Sequence, residues 1–226
     1  MFASFDRQTL LLDDPSGSDS ARRLSVPLRQ FVPSMLLSVF PSDPSLRPVI
    51  LVGPLQEAVV DKLEQDFPHM FQRCLGQPVR GSLQALERGL QDLSLLDFRR
   101  RGSHFECLTL QAVRSIAHKA CHALLDVSLS AVERLNRCQI FPIVIFIKFK
   151  TTKQIREVKD STYLTEKVTT KAAKEMYEHA LKIESEYKHL INAVIPGSNL
   201  AYMCTQVKMC VDDEQNKALW VPSGTL

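Results

Sequence analysis

Along this chain, short and wholly apolar runs alternate with stretches in which apolar residues recur every three or four positions. The first pattern predicts buried strands and the second amphipathic helices. Val49 to Val52 is a β-branched run ended by Gly53-Pro54, a buried strand turning into a helix, and Pro54 suits the first helical turn because its missing N–H is no loss there. The helix that follows carries Leu55, Val59 and Leu63 on one face. Ser82 is placed to cap a helix bearing Leu83, Leu86 and Leu90, and Thr109 one bearing Leu110, Val113 and Ile116. Between them lies a polar, arginine-rich stretch. His122 to Val127 reads as a second buried strand, and Ser130 with Glu133 has the spacing of a capping box opening a short helix with Val132 and Leu135. Phe141 to Phe149 is nearly continuous in β-branched and aromatic residues, the strongest strand signal in the chain.

The longest helical pattern runs from about Lys167 to Leu190, with Val168, Ala172, Met176, Ala180, Ile183, Tyr187 and Leu190 on one stripe and charges of both signs elsewhere. Ile191 to Ile195 gives another strand, closed by Pro196-Gly197, and Ser198 starts a last helix through Leu200, Met203 and Val207. Ala218 to Pro222 reads as an edge strand holding the only tryptophan, Trp220. Strands alternating with helices imply a parallel sheet covered on both faces, so the predicted fold class is α/β.

Residues 1–46 depart from this rhythm. Serine and proline are frequent (Pro15, Ser16, Ser18, Ser20, Pro41, Ser42, Pro44, Ser45), the pattern of a linker or a fragment of a preceding domain. The expected domain is 47–222. With 45% hydrophobic and 23% charged residues, the 226-residue chain is composed like a globular protein and unlike a disordered tail, a collagen or a coiled-coil rod. A formal charge of +3 disfavours nucleic acid as a partner. Asp6 precedes the first apolar stretch and Asp13 and Asp14 follow it, which is not the layout of a signal peptide, and the most apolar run, Phe141 to Ile147, is too short to span a bilayer. The cysteines at 74, 107, 121, 138, 204 and 210 form no Cys-x-x-Cys pair and no zinc pattern; they read as reduced, mostly buried thiols of a cytoplasmic protein. No metal or cofactor site is expected.

A strand, then Gly53-Pro54, then a helix is where a phosphate-binding Gly-x-x-x-x-Gly-Lys-Ser/Thr loop would sit. Counted from Gly53, the second glycine is Ala58, the lysine is Val59 and the serine or threonine is Val60. Val59 offers no cation to a β- or γ-phosphate and Val60 offers no oxygen to Mg²⁺, while Glu57 adds negative charge where a polyphosphate would lie. Phosphoryl transfer depends on positioning and charge neutralisation by these groups, so nucleotide-dependent catalysis is disfavoured.

These residues, taken together, resemble a family. Arg47 to Pro54, then Phe67-Pro68 and Phe71, then His122-Ala123-Leu124-Leu125-Asp126-Val127, and Phe141 to Lys148 look like the guanylate-kinase-like domain of membrane-associated guanylate kinase scaffolds. Lys174 to Ala180, Glu186-Tyr187 and Glu214 to Pro222 are most similar to its discs-large homologue five branch. The resemblance covers 47–222 in order. It implies a P-loop-NTPase-like parallel sheet with a nucleotide-monophosphate subdomain, here over about 73–109. Between Cys74 and Ser82 only seven residues remain, so most of that subdomain is expected to be deleted. By the same resemblance Asp97 falls at the guanine-binding glutamate, Glu106 at a phosphate-gripping tyrosine and Lys167 at a lid arginine, which keeps charge but loses the bidentate fork.

In many such scaffolds the emptied nucleotide groove is similar to a phosphopeptide receptor. Residues 71–120 hold eight Lys/Arg (Arg73, Arg80, Arg88, Arg99, Arg100, Arg101, Arg114, Lys119) against four acids (Glu87, Asp92, Asp97, Glu106), more excess charge than the whole chain carries. Arg99, Arg100 and Arg101, with Arg73, Arg80 and Asp97, are therefore the candidate partner-binding residues, for an acidic or phosphorylated protein segment; a solvated loop is the plainer alternative. The resemblance also implies that the strand after this domain pairs with a preceding SH3 domain of the same scaffold. Gln30 to Phe40 could supply a pairing strand, which Pro33 would confine to an edge, although no full SH3 domain fits in residues 1–46.

His104, His118, His122, His179 and His189 have no nucleophile to serve and read as surface or core residues; Asp126, ending the second strand, reads as a turn or capping residue. Arg22-Arg23-Leu24-Ser25 has the form of a basophilic kinase target, which makes Ser25 a candidate phosphosite. The expected function is a non-catalytic interaction domain of a cell-junction and polarity scaffold, cytoplasmic and peripheral to the plasma membrane through its partners. The alternatives are a working guanylate kinase, phosphorylating GMP with ATP and Mg²⁺, and a purely structural domain that stabilises a neighbouring SH3.

Overall fold

The computed structural model describes residues 36–39 and 46–222. Ser25, Pro33 and the remainder of the predicted linker lie outside the described residues. In chain order the elements are β1 (Leu36–Val39), β2 (Val49–Val52), α1 (Gln56–Asp66), β3 (Phe71–Arg73), β4 (Gln77–Val79), α2 (Leu83–Gln91), β5 (Asp97–Arg101), β6 (His104–Leu108), α3 (Leu110–Ala117), β7 (His122–Leu124), α4 (Ser130–Arg137), β8 (Ile143–Lys148), α5 (Thr152–Glu157), α6 (Thr170–Tyr187), β9 (Ala193–Pro196), α7 (Leu200–Gln215) and β10 (Leu219–Pro222).

The centre is a five-stranded sheet of order β3-β7-β2-β8-β9, parallel at every pairing. Its central strands, β2 and β8, are apolar up to Lys148 because both faces are covered, and their side chains alternate between two cores. Val49, Leu51, Ile143, Ile145 and Ile147 join α1 and α7 on one side. Ile50, Val52, Val144 and Phe146 join α3, α4 and part of α6 on the other. The expected helix face Leu55, Val59, Leu63 packs wholly into the first core.

Two smaller sheets complete the architecture. β4-β6-β5 is antiparallel, and α2 precedes its β5–β6 hairpin in the chain. This sheet and α2 occupy the stretch, about 73–109, in which a reduced nucleotide-monophosphate subdomain is expected: β4 has three residues, and the β5–β6 hairpin five in each strand. β1 and β10 form a separate antiparallel ribbon, Leu36 opposite Pro222 and Val39 opposite Leu219. Leu36–Val39 falls within the expected pairing segment.

Local chemistry decided several boundaries differently from the sequence pattern. Pro54 is in a turn two residues ahead of α1, not in its first turn, because Leu55 adopts the left-handed conformation (φ 63°) and delays the helix to Gln56. Ser130 is the first residue of α4 and caps nothing; its hydroxyl lies 2.9 Å from that of Ser128, so no capping box forms. Asn199, not Ser198, caps α7, its side-chain oxygen accepting from Tyr202 N at 2.9 Å. Ser82 and Thr109 cap as expected, each accepting at 3.3 Å from the N–H three residues on. The long helix starts at Thr170, after Thr169 as its cap. The second strand, β7, stops at Leu124; Leu125 N still donates to the Val49 carbonyl of β2 at 2.9 Å, and Asp126 and Val127 lie beyond the strand. Helix α5 is too short, at six residues, to show a repeat, and β3 and β4 hold three residues each with polar side chains among them, so neither makes an apolar run.

Candidate functional site

Two features of an enzyme cradle can be located on this fold. The first is the turn after β2. Gly53 has φ 117°, and a Cβ placed there would lie 2.4 Å from the carbonyl oxygen of Ile147, so only glycine passes β8 at this point. Beyond it the chain makes no open loop. Leu55 is buried, α1 has already begun at Gln56, and Ala58 and Val59 point into the core, Val59 with no exposure at all. Cys204 on α7 donates its thiol to the Val59 carbonyl, at 3.7 Å. Val60 is half-buried against the same core. Helix thus occupies the positions counted from Gly53, and Val59 packs inward. The early helix start came only with the structure.

The second feature is a groove of about 200 Å³ outside the carboxyl ends of β3 and β7, the side of an α/β sheet where ligands bind. β3 delivers Arg73, β5 and β6 deliver Asp97, Arg99, Arg101 and Glu106, and Asp126 follows β7. Three guanidinium groups and three carboxylates therefore line it, and they answer one another. Arg99 pairs with Asp126. Arg101 Nε donates to Glu106 at 3.1 Å. Arg73 pairs with Asp61 of α1 and lies 3.7 Å from Glu64.

Asp97 is turned to another task. One oxygen accepts from Ser128 N at 2.7 Å and Ser128 Oγ at 3.0 Å, and the other from Phe98 N at 3.1 Å and Arg134 at 3.4 Å. A nearly buried carboxylate needs such partners, and here they fasten β5 to the start of α4. Its lone pairs are committed, which leaves little for a guanine edge or a partner.

The expected basic patch divides accordingly. The triplet is not a loop: Arg99, Arg100 and Arg101 lie in β5, where successive side chains take opposite faces. Arg99 and Arg101 face the groove with Glu106, while Arg100 shares the other face with Phe98 and Phe105, whose rings meet edge-on at 5.7 Å. Arg80 and Arg100 form no ion pair among the described residues. Lys167, the lid position, is exposed in the segment before α6. The counter-charge on Arg99 and Arg73, from Asp126, Asp61 and Glu64, comes from other elements and was missed by counting along 71–120. Asp126 acts as an ion-pair partner, not as a turn residue or cap.

The remaining chemistry is structural. Burial pushes the Cys74 thiol up to about 11 and the Cys204 thiol up to about 12, so neither is a ready nucleophile. His122 is buried, and desolvation holds its imidazole below the ordinary value. Among the described residues no group of three or more His, Cys, Asp or Glu is placed to hold a metal ion. Nor is any helix among them long and apolar enough to cross a membrane.

A parallel sheet whose strand β2 turns through glycine into a helix, with a small antiparallel sheet facing a groove at the carboxyl ends of its neighbours, defines the class of the nucleoside-monophosphate kinase fold. The particular lineage follows from comparison with known proteins. The Guanylate kinase family model matches residues 45–214, and the chain belongs to that family. It is 42% identical over 182 residues to Disks large homolog 5 of Homo sapiens, an alignment covering 80% of this chain and 10% of that protein. With Disks large homolog 3 of Homo sapiens it shares 29% over 192 residues, 78% of this chain and 23% of the other. The chain thus spans about a tenth of the length of the first relative and under a quarter of the second. The crystal structure of the SH3-kinase fragment of tight junction protein 3, in its apo form, matches with a TM-score of 0.60 and 24% identity, covering 84% of this chain and 65% of that one; it shows the shared fold. The chain is a guanylate-kinase-like domain of the membrane-associated guanylate kinase type.

Proposed function

We propose that this domain transfers no phosphoryl group and serves a scaffold as a protein-binding module. The observation that carries the reading is the closed turn after β2, where α1 starts at Gln56 and buries Val59 in the core. Nucleotide kinases need backbone N–H groups, a lysine and a magnesium-holding hydroxyl around the phosphates. Here the same positions are aliphatic and largely occupied by packing. The groove between β5–β6 and the ends of β3 and β7 is the surface left for partners.

Its chemistry favours a protein segment over a free phosphate. Every arginine lining it has a carboxylate partner, so an incoming anion must displace a side chain, whereas a peptide can insert both signs and backbone groups between the pairs. Acidic or phosphorylated segments would be recruited by Arg80 and Arg100 and accepted by Arg73, Arg99 and Arg101. The β1–β10 ribbon supports pairing with an SH3 domain of the same scaffold, because an isolated two-stranded sheet has two free edges and is marginal alone. Placement at cell junctions, peripheral to the membrane through such partners, belongs to the same proposal.

Calorimetry with GMP and with ATP–Mg²⁺, joined to a coupled kinase assay, tests it. No heat of ATP binding and no turnover are expected; turnover above the uncatalysed background would overturn the reading.

A further inference from the structure

The β5–β6 hairpin carries a feature that neither the groove nor the fold uses. Arg101 pairs with His104 across a two-residue turn, Gly102-Ser103, in which Gly102 takes φ 58°. Ser103 is exposed at its tip and its hydroxyl makes no hydrogen bond among the described residues. The three residues before the glycine are all arginines, at two, three and four positions ahead of the hydroxyl. They lie on β5, an edge strand of its sheet with one side unpaired. Arg100 has no carboxylate partner among the described residues, and the Arg101–Glu106 pair is exposed, worth about 1 kcal/mol or less.

We propose that Ser103 is a phosphoacceptor for a basophilic serine kinase, read through Arg100 and Arg101. Such enzymes bind their substrates as extended segments and place carboxylates against cations two and three residues before the serine. β5 is already extended, and its arginines lie on an unpaired edge. Opening β5 at the rungs Arg101–His104 and Arg100–Phe105 frees the turn while β6 keeps its pairing to β4, and both rungs lie at the tip of the β5–β6 hairpin, where local opening is least costly. In the transfer, Ser103 Oγ attacks the γ-phosphorus of ATP. The new O–P bond replaces the bond to the β–γ bridging oxygen, ADP leaves, and the hydroxyl proton passes to the kinase's catalytic base. The product places a charge of about −2 at the rim of a groove whose own charges are balanced, beside guanidinium groups that pair readily with phosphate. Ser25 has a similar approach, Arg22-Arg23-Leu24, and serves as the internal comparison.

The test uses the full chain with the catalytic subunit of cyclic-AMP-dependent kinase and ATP–Mg²⁺, with sites assigned by mass spectrometry. One phosphate at Ser103 is expected in wild type and in S25A, none at Ser103 in S103A, and at least a tenfold lower kcat/KM for Ser103 in R100A. A synthetic peptide of residues 97–108 runs in parallel. Peptide labelled but folded chain unlabelled at Ser103 would overturn the proposal, since the hairpin would then hide the site. Labelling of Ser103 at undiminished rate in R100A and in R100A/R101A would overturn it too. Circular dichroism of each variant separates lost recognition from lost fold.

Discussion

The imidazole of His122 and the backbone of Arg47 hold each other: Nδ1 of His122 donates to the Arg47 carbonyl oxygen at 2.8 Å, buried where β2 and β7 begin. The guanidinium of the same arginine donates to the carbonyls of Phe141 at 2.7 Å, Glu214 at 2.7 Å and Pro142 at 3.2 Å. Arg47 thereby ties the start of β2 to the segment before β8 and to the last turn of α7. Its N–H completes the knot on Gln215 at 3.0 Å.

Stability should therefore depend on His122 protonation. Desolvation, the largest influence, sets its folded pKa below the ordinary 6.5, against the raising pull of the hydrogen bond to the Arg47 carbonyl and of the Asp212 charge; the Arg47 charge lowers it further. The folded state binds the proton less well than the unfolded chain. The contribution is complete above the unfolded value and is lost as pH falls from about 6.5 through the lower folded value. Urea unfolding at pH 8 and pH 5.5 should show a lower midpoint at the acid pH, with a smaller difference in H122Q; an equal difference in both proteins would refute it.

Restoring a lysine to the turn after β2 should damage the fold without creating an enzyme. Val59 has no exposure, so V59K drives an ammonium into the core of Leu55, Leu63 and Cys204, at a cost of about 3 kcal/mol or more. Chemical denaturation measures the loss, and a coupled assay of A58G/V59K/V60S should detect no turnover.

Asp97 and Arg100 should separate fold from surface. D97A strands Ser128 N–H and the Arg134 guanidinium in a nearly buried site and should cost about 2 kcal/mol. R100E should alter stability by about 0.5 kcal/mol or less, the usual range for an exposed change. It should weaken capture of an acidic partner more than R101E does, because Arg101 is already paired with Glu106. Thermal melts and pulldowns on the same three variants check both halves.

Thiol labelling should follow burial. With maleimide at neutral pH, Cys138 and Cys210, which are partly accessible, should react first. Cys74 and Cys204, whose pKa values are raised to about 11 and about 12, should stay protected until the chain unfolds. Mass spectrometry against time orders them.

Much of the central sheet is legible in the sequence. Val49–Val52 and Phe141–Phe149 announce themselves because a strand buried on both faces has no polar position to interrupt it. The caps at Ser82 and Thr109 were legible because a single side chain satisfies a nearby N–H. The capping box at Ser130 failed because α4 opens with Ser130 itself, leaving Leu129 at the cap, and the Ser130 hydroxyl lies against that of Ser128, which Asp97 engages from β5. The hairpin at 97–108 shows in the sequence only as a polar stretch, because its strands are partly exposed and charged, and strand periodicity is weak when arginines occupy both faces.

Spacing alone determined that the positions counted from Gly53 hold Ala58, Val59 and Val60, whose side chains carry no cation and no oxygen whatever the backbone does. Only the folded chain decided what became of the basic residues. Charge counted along a sequence sums neighbours in the chain, but the ion pairs of the groove join β5 to Asp126 and β3 to α1 across the tertiary structure. A cluster of arginines that reads as an anion receptor is, in three dimensions, largely a set of satisfied pairs, because Coulomb energy depends on distance in space.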